Sequence, residues 1–352
     1  MKKELKPALF GLSNSNRDFS ASGEWGKNKF NSSFPASLCC FLHSIKEKAV
    51  QLVVRKGKIS QEEVPFDELF GIDPLDPNAF YSFESIFTPF EKFVIGPLPR
   101  TDLVVRNQKT DKALSSFEIK LTALPDNTTS GHKEEDYGSE LVVRPDTIVY
   151  LACSLAQTLG DLLPDFFKEY PRIQDWSNAT EVSPHLDHIL KTLNSITELA
   201  DSDQRPFLLQ PIWKTMGKSP ILADSCLDVF VWSDVAFVKL IYQISNMDLR
   251  DAKITRQTRT SIWLFKMLSD IARGEKINHQ SIIDKLSYNT KNDKAFAISG
   301  LITNPIMKGK RLEKPILKKS QIKEIILGGG QSFLSPERRF DAVIYFTSDE
   351  LF

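Results

Sequence analysis

The sequence predicts an α/β chain of the α+β kind, and three observations carry that prediction. From about residue 78 to 240, segments of helical and strand periodicity follow one another with no clean linker. Within them, TDLVVRNQKTDKALSSFEIKLTAL (101–124) reads as a β-hairpin: an apolar strand, a polar turn, then a strictly alternating strand. Shortly after, PDTIVYLACSLAQTLGDLL (145–163) is a strong helix with proline in its first turn.

Taken in order, residues 11–35 are rich in Ser, Asn and Gly and read as a loop or extended arm. Trp25, Phe30 and Phe34 recur through it, so the arm is expected to pack on something. A helix starts after Pro35 (36–48), VQLVVR (50–55) reads as a strand, and EEVPFDELFG as a short helix or turn. NAFYSFESIFTPFEKF (78–93) carries apolar residues at helical spacing, bent or ended at Pro89. After the hairpin come a polar loop and the short strand ELVVR, which leads into the helix at Pro145. Helical pieces between Pro and Asp fill 170–210, and CLDVFVWSD (226–234) is a strand followed by a helix, VAFVKLIYQIS. ITRQTRTSIWLFKMLSDIARG is an amphipathic helix, and 291–352 mixes short strands with a GGG turn. The organisation expected is one domain over 1–352. It has an N-terminal arm and helix (1–50), a core (78–240) with a helical insertion (170–222), and a C-terminal α/β segment (241–352).

With 352 residues, 41% of them apolar and 26% charged, the chain has a globular composition and enough length for a sizeable core. Its formal net charge is zero, so a nucleic-acid partner would need a local basic patch. Cys39, Cys40, Cys153 and Cys226 make no C-x-x-C pair, which argues against a structural zinc site or a disulfide framework. MKKELKPALFG lacks the apolar core of a signal peptide, and no run of ~18 apolar residues follows. The expectation is a cytoplasmic protein.

The hairpin carries the chemistry. Alternation puts Phe117, Ile119, Leu121 and Ala123 on one face and Glu118, Lys120 and Thr122 on the other. With the turn within Lys109–Lys112, an even register sets Asp102 on the face of Glu118 and Lys120, and an odd one turns it away. Two neighbouring carboxylates repel unless a cation lies between them. Mg²⁺ suits that place because it takes one or two carboxylates, keeps waters and accepts phosphate oxygens. A lysine beside it can hold and deprotonate a water and counter charge on phosphorus. Acid-x-Lys also occurs at Glu4 and Asp251, and a solvated hairpin face with a Glu–Lys pair is the bland alternative.

Asp102 followed by Glu118-Ile119-Lys120 resembles the PD-(D/E)xK nuclease superfamily, with Thr101 where the motif has proline. The N-terminal run KPALFGLSNSNRDF…WGKNKFNSSFPASLCCFL resembles the HindVP type II restriction endonucleases, and DVFVWSDVAFVKL adds to the likeness. The resemblance implies a restriction-endonuclease-like core, a central mixed sheet flanked by helices. It implies a Mg²⁺-dependent endonuclease that cuts both strands of double-stranded DNA at a short palindrome such as GRCGYC. A homodimer, and a DNA methyltransferase encoded nearby, go with it. Carried over, Asp102 and Glu118 are metal ligands, the carbonyl of Ile119 is a further one, and Lys120 acts on the water. Glu84, with Glu91 next, is the candidate for the acid that superfamily members often carry on a helix before the first core strand. A non-catalytic DNA-binding protein and a repair-type nuclease of the same superfamily are the alternative readings.

DNA contacts are expected from three places. Residues 291–339 hold eleven Lys/Arg against four acids, among them Lys308, Lys310, Arg311, Lys318 and Lys319, which can neutralise phosphates or simply be a solvated surface. In the arm, Asn14, Asn16, Arg17, Lys27, Asn28, Lys29 and Asn31 offer groups that read base edges. Alternatively, they tie the arm down through side-chain-to-backbone bonds. Arg256 and Arg259 share a helix face and either grip a phosphate or pair with Asp251.

Overall fold

A computed structural model describes residues 14–16, 36, 39–40, 42–55, 58–121, 140–200, 207–209, 213–216, 219–222, 229–231, 254, 256–288 and 296–299. Ala49–Arg55 (β1), the strand expected from its apolar run, pairs as an antiparallel hairpin with Lys58–Val64 (β2), which was not expected and takes in the start of the segment read as a helix or turn. Pro65 then opens a short helix, Phe66–Phe70 (α1), which stops at Gly71 with φ 71°. Glycine suits this left-handed cap, and a Cβ there would meet the Cβ of Leu114 at 3.4 Å.

Ala79–Ser85 (β3), Thr101–Asn107 (β4) and Lys112–Phe117 (β5) form a three-stranded antiparallel sheet in that order. The helix expected over 78–93 is therefore corrected: β3 comes first, and a 3₁₀ turn at Thr88–Phe93, holding Pro89, follows. Tyr81, Ser82 and Phe83 are all buried, so the strand shows no polar face and no period of two. Pairing with β4 then decides what spacing could not.

The alternating strand is also split. β5 ends at Phe117, and Ile119–Leu121 (β6) pairs with Val229–Val231 (β11) in a second sheet, whose order is β2-β1-β8-β11-β6. There β8 is Phe207–Leu209, and Glu118 stands alone between the two sheets. Trp213–Met216 (β9) with Ser219–Leu222 (β10), and Glu140–Val143 (β7) with Phe296–Ser299 (β12), make two-stranded ribbons. Every strand pair among the described residues is antiparallel, where a mixed sheet was expected; parallel geometry appears in two isolated bridges, Ser15–Tyr81 and Val94–Ile277.

The helices meet the expectation more closely. Pro145–Leu159 (α2) starts at its proline, and Ala179–Val182 (α3) and Leu186–Ala200 (α4) lie where helical pieces were read. β8 to β10 then occupy the end of the stretch read as a helical insertion. Arg256–Ala272 (α5) packs along α2 and α4, with Trp263 and Phe265 fully buried. Rings of Tyr170 and Trp176 stack on Phe265 at 6.4 and 6.0 Å between centroids. His279–Lys285 (α6) is capped by Asn278 and fastened by Trp263 Nε1 donating to the Leu286 carbonyl at 3.1 Å. No described helix is long and apolar enough to cross a membrane.

Candidate active site

The three-stranded sheet is covered on both faces. On one, Phe70 of α1 packs against Tyr81 and Phe117, with centroids 6.1 and 5.3 Å away. The other face carries Val104 into the helical core beside α2. The register sets what stands at the sheet's end. β3 pairs with β4 through Phe83–Leu103 and Ser85–Thr101, and β4 with β5 through Leu103–Phe117. One step further along each segment come Glu84, Asp102 and Glu118, a row by sequence position: Glu84 lies in β3, not on the helix expected for it, and is left-handed, while Glu118 lies just past the end of β5. The register is thus the even one, maintained despite a bulge between Val105 and Arg106 near the turn. Asn107 shapes that turn by accepting the N–H groups of Lys109 and Thr110 at 3.0 and 3.2 Å.

Each member of the row is fixed differently. Asp102 Oδ2 accepts the N–H of Ile119 at 2.7 Å, which gives that amide a partner where the chain leaves β5. Beside it, the Thr101 hydroxyl donates to the Phe117 carbonyl at 2.7 Å and ends the β4–β5 pairing. Glu118 is half-buried, and its Oε1 accepts the hydroxyl of Thr147 at 3.3 Å. Thr147 lies in the first turn of α2, whose N-terminal end carries partial positive charge that complements a carboxylate. Glu84 is exposed, with φ 48°. A left-handed residue other than glycine costs about 1–2 kcal/mol, so neighbouring bonds must hold it.

Around the row, Tyr150 of α2 donates its hydroxyl to the Pro99 carbonyl at 2.7 Å and accepts the Phe87 N–H at 3.1 Å. Burial pushes its phenol well above the ordinary range, and nearby Glu118 and Asp146 add to the shift, so it remains a donor. His279 is half-buried with no hydrogen-bond partner for Nδ1, and burial lowers its pKa while Asp146 opposes the shift. Sequence reasoning missed Thr147, Tyr150 and His279. The Pro-Asp-Thr start of α2 was the available sign of a helix end near the row, and nothing local marks the other two.

An all-oxygen set of two carboxylates and the Ile119 carbonyl suits a hard cation that completes its shell with water and phosphate. Among the described residues, no group of three or more His, Cys, Asp or Glu is placed to hold a metal ion. Lys120 sits in β6 opposite Phe230, two residues beyond Glu118. Glu91 lies in the 3₁₀ turn, away from the row's register.

The expected DNA contacts fare unevenly. Asn14 and Asn16 are tied to the edge of β3: Asn14 Nδ2 donates to the Pro77 carbonyl at 2.8 Å, and the Asn16 amide bonds the backbone of Phe83. Arg259 is corrected as a phosphate grip. It is 2% exposed, donates to the Ser287 carbonyl at 3.2 Å and lies over the Trp263 ring at 5.0 Å, because its helix face is turned to the core. Arg256 opens α5. Arg17, Lys27, Asn28, Lys29, Asn31, Lys308, Lys310, Arg311, Lys318 and Lys319 lie outside the described residues.

No solved structure matches the chain. A family model of the HindVP restriction endonucleases matches residues 25–352. A Haemophilus influenzae protein named "Probable type II restriction enzyme HindVP" is 52% identical over 350 residues, covering 99% of this chain and 96% of the relative. "Type II restriction enzyme HgiDI" of Herpetosiphon aurantiacus is 43% identical over 346 residues, 97% of this chain and 96% of that one. Matches of this identity, nearly end to end, make the chain a restriction endonuclease of the HindVP family.

Proposed function

We propose that this protein is a type II enzyme that hydrolyses double-stranded DNA at a short palindrome, with Mg²⁺ held at the end of the three-stranded sheet. The names of both relatives support the class of activity. The Leu103–Phe117 pairing next to Asp102 and Glu118, the bond from Ile119 N–H to Asp102, and Thr147 at the N-terminus of α2 bonded to Glu118 support the assignment of the site. The proposed core is of the PD-(D/E)xK type within one nuclease domain over 1–352. It spans 78–240 with the insertion at 170–222, the arm and helix occupy 1–50, and 241–352 serve DNA binding and dimerisation.

Asp102, Glu118 and the Ile119 carbonyl would hold the ion, which when bound supplies positive charge to the scissile phosphate and lowers the pKa of a water. Lys120 orients the attacking water, takes its proton and counters the charge that gathers on phosphorus. Glu84, at the outer end of the row, completes the acidic set. Arg256 and the basic stretch from Lys308 to Lys319 neutralise phosphates, and Arg17, Lys27, Asn28, Lys29 and Asn31 reach base edges. A homodimer matches a palindromic site such as GRCGYC half to half. A methyltransferase gene is expected nearby to protect the host, and the cytoplasm is the expected compartment.

One experiment tests most of this. Sequenced plasmid is incubated with the protein and Mg²⁺, and the ends are mapped. Discrete fragments with ends symmetric about a palindrome are expected. Lys120→Ala should abolish cutting while specific binding persists. A smear would indicate a repair-type nuclease, and asymmetric ends would overturn the dimer. Binding without cleavage under any Mg²⁺ condition would sink the enzymatic reading, and retained cleavage in Lys120→Ala would remove that residue from the chemistry.

A further inference from the structure

Among the described residues, Asn14, Ser15 and Asn16 of the arm meet the core in a way that no catalytic role explains. Asn14, Ser15 and Asn16 lie parallel along the outer edge of β3, where Tyr81 N–H donates to the Asn14 carbonyl at 3.0 Å and Asn16 N–H to the Tyr81 carbonyl at 3.2 Å. The backbone ladder then stops and a side chain continues it. Asn16 Oδ1 accepts the Phe83 N–H at 2.9 Å, while its Nδ2 donates to the Phe83 carbonyl at 3.0 Å and to Ser85 Oγ at 3.4 Å. Ser85 Oγ donates in turn to the Phe83 carbonyl at 3.0 Å. One amide thus stands in for a peptide unit and grips the residues before and after Glu84, the left-handed residue of the strand.

This placement has a consequence for the acidic row. Phe83 and Ser85 keep their β4 partners, Leu103 and Thr101, while Glu84 between them departs from the strand conformation opposite Asp102. A left-handed residue in a strand persists where bonds on both sides over-determine it. β4 pairs with the strand on one side, and Asn16 bonds it on the other.

We propose that Asn16 is a positioning residue for cleavage: by clamping Phe83 and Ser85 it holds Glu84 in its left-handed turn opposite Asp102, so that the docked arm is part of the active site. The proposal rests on the reading of Asp102, Glu118 and Glu84 given above. Asparagine fits because the clamp needs a donor and an acceptor on one short side chain; aspartate lacks the donor, and alanine lacks both.

The test uses the full chain. Single-turnover plasmid cleavage is measured across Mg²⁺ concentrations for wild type, Asn16→Ala, Asn16→Asp, Glu84→Gln and the double variant Asn16→Ala/Glu84→Gln, with DNA affinity measured without metal. Both Asn16 variants should cut roughly ten- to a hundred-fold more slowly, as displaced catalytic groups do, with affinity unchanged. The double variant should be no slower than Glu84→Gln. If Glu84→Gln leaves no measurable rate, the Mg²⁺ concentration for half-maximal cutting by Asn16→Ala decides: a rise supports the clamp, and an unchanged value overturns it. Unchanged rates in the Asn16 variants, multiplying effects in the double variant, or affinity falling in step with rate would each overturn it, the last by making Asn16 a DNA contact. Asp102→Asn separates the two layers. If it is inactive while Glu84→Gln cuts normally, the clamp proposal fails and the Asp102–Glu118 site stands; if it cuts normally, the site itself fails.

Discussion

Asp102 has two duties that substitution can separate. Its Oδ2 satisfies the N–H of buried Ile119, and its charge serves the proposed cation. Asn keeps a carbonyl oxygen that can accept the same N–H, so Asp102→Asn should unfold in urea within about 1 kcal/mol of wild type yet fail to cut plasmid. Asp102→Ala orphans the amide and should lose about 1–3 kcal/mol as well as activity. An Ala variant as stable as wild type would show that the amide finds another acceptor. Alternation is local, so the sequence could suggest a shared face for Glu118 and Lys120, but it could not show that the strand breaks at Glu118 and that Lys120 continues in another sheet. The β4–β5 register depended on where the turn closed, and the bonds of Asn107 to Lys109 and Thr110 shape that turn without a sequence signal specific enough to choose the register beforehand.

At the scale of elements, Tyr150 pins two connections onto α2, the one leaving β3 at Phe87 and the one approaching β4 at Pro99. Tyr150→Phe leaves a partly buried donor and an acceptor without their partner. A loss of about 1–3 kcal/mol in urea unfolding is expected, with faster hydrogen exchange at Phe87. Unaltered exchange there would show that the phenol does not hold the connection. Helices were legible where caps and proline mark their ends, as at Pro145, and where a wide apolar stripe recurs, as in α5. β3 was not, because Phe80, Phe83, Phe87 and Phe90 mimic helical spacing while the strand is buried with no polar face. The departure of β6 into another sheet was equally hidden, since its partner β11 lies more than a hundred residues along the chain.

For the whole molecule, His279 in α6 feels the charge of Asp146 at the start of α2. Burial lowers its pKa from the ordinary value of 6.5, with Asp146 opposing. The unfolded chain therefore takes up its proton at a higher pH than the folded one. The folded state keeps its full stability above about pH 6.5 and loses part of it as pH falls from there towards the lowered pKa. His279→Gln should remove that part of the acid slope in thermal unfolding measured between about pH 5 and 8, and an identical slope in wild type and variant would exclude His279 as its source. A last consequence lies in Glu118, the one residue between two ladders. Asp102 is a fixed point of one sheet and Lys120 of the other, so neither ladder alone sets the gap between carboxylate and ammonium-bearing residue. Glu118 is the seam between the two sheets, and the bond from Ile119 N–H to Asp102 Oδ2 is a stitch across it.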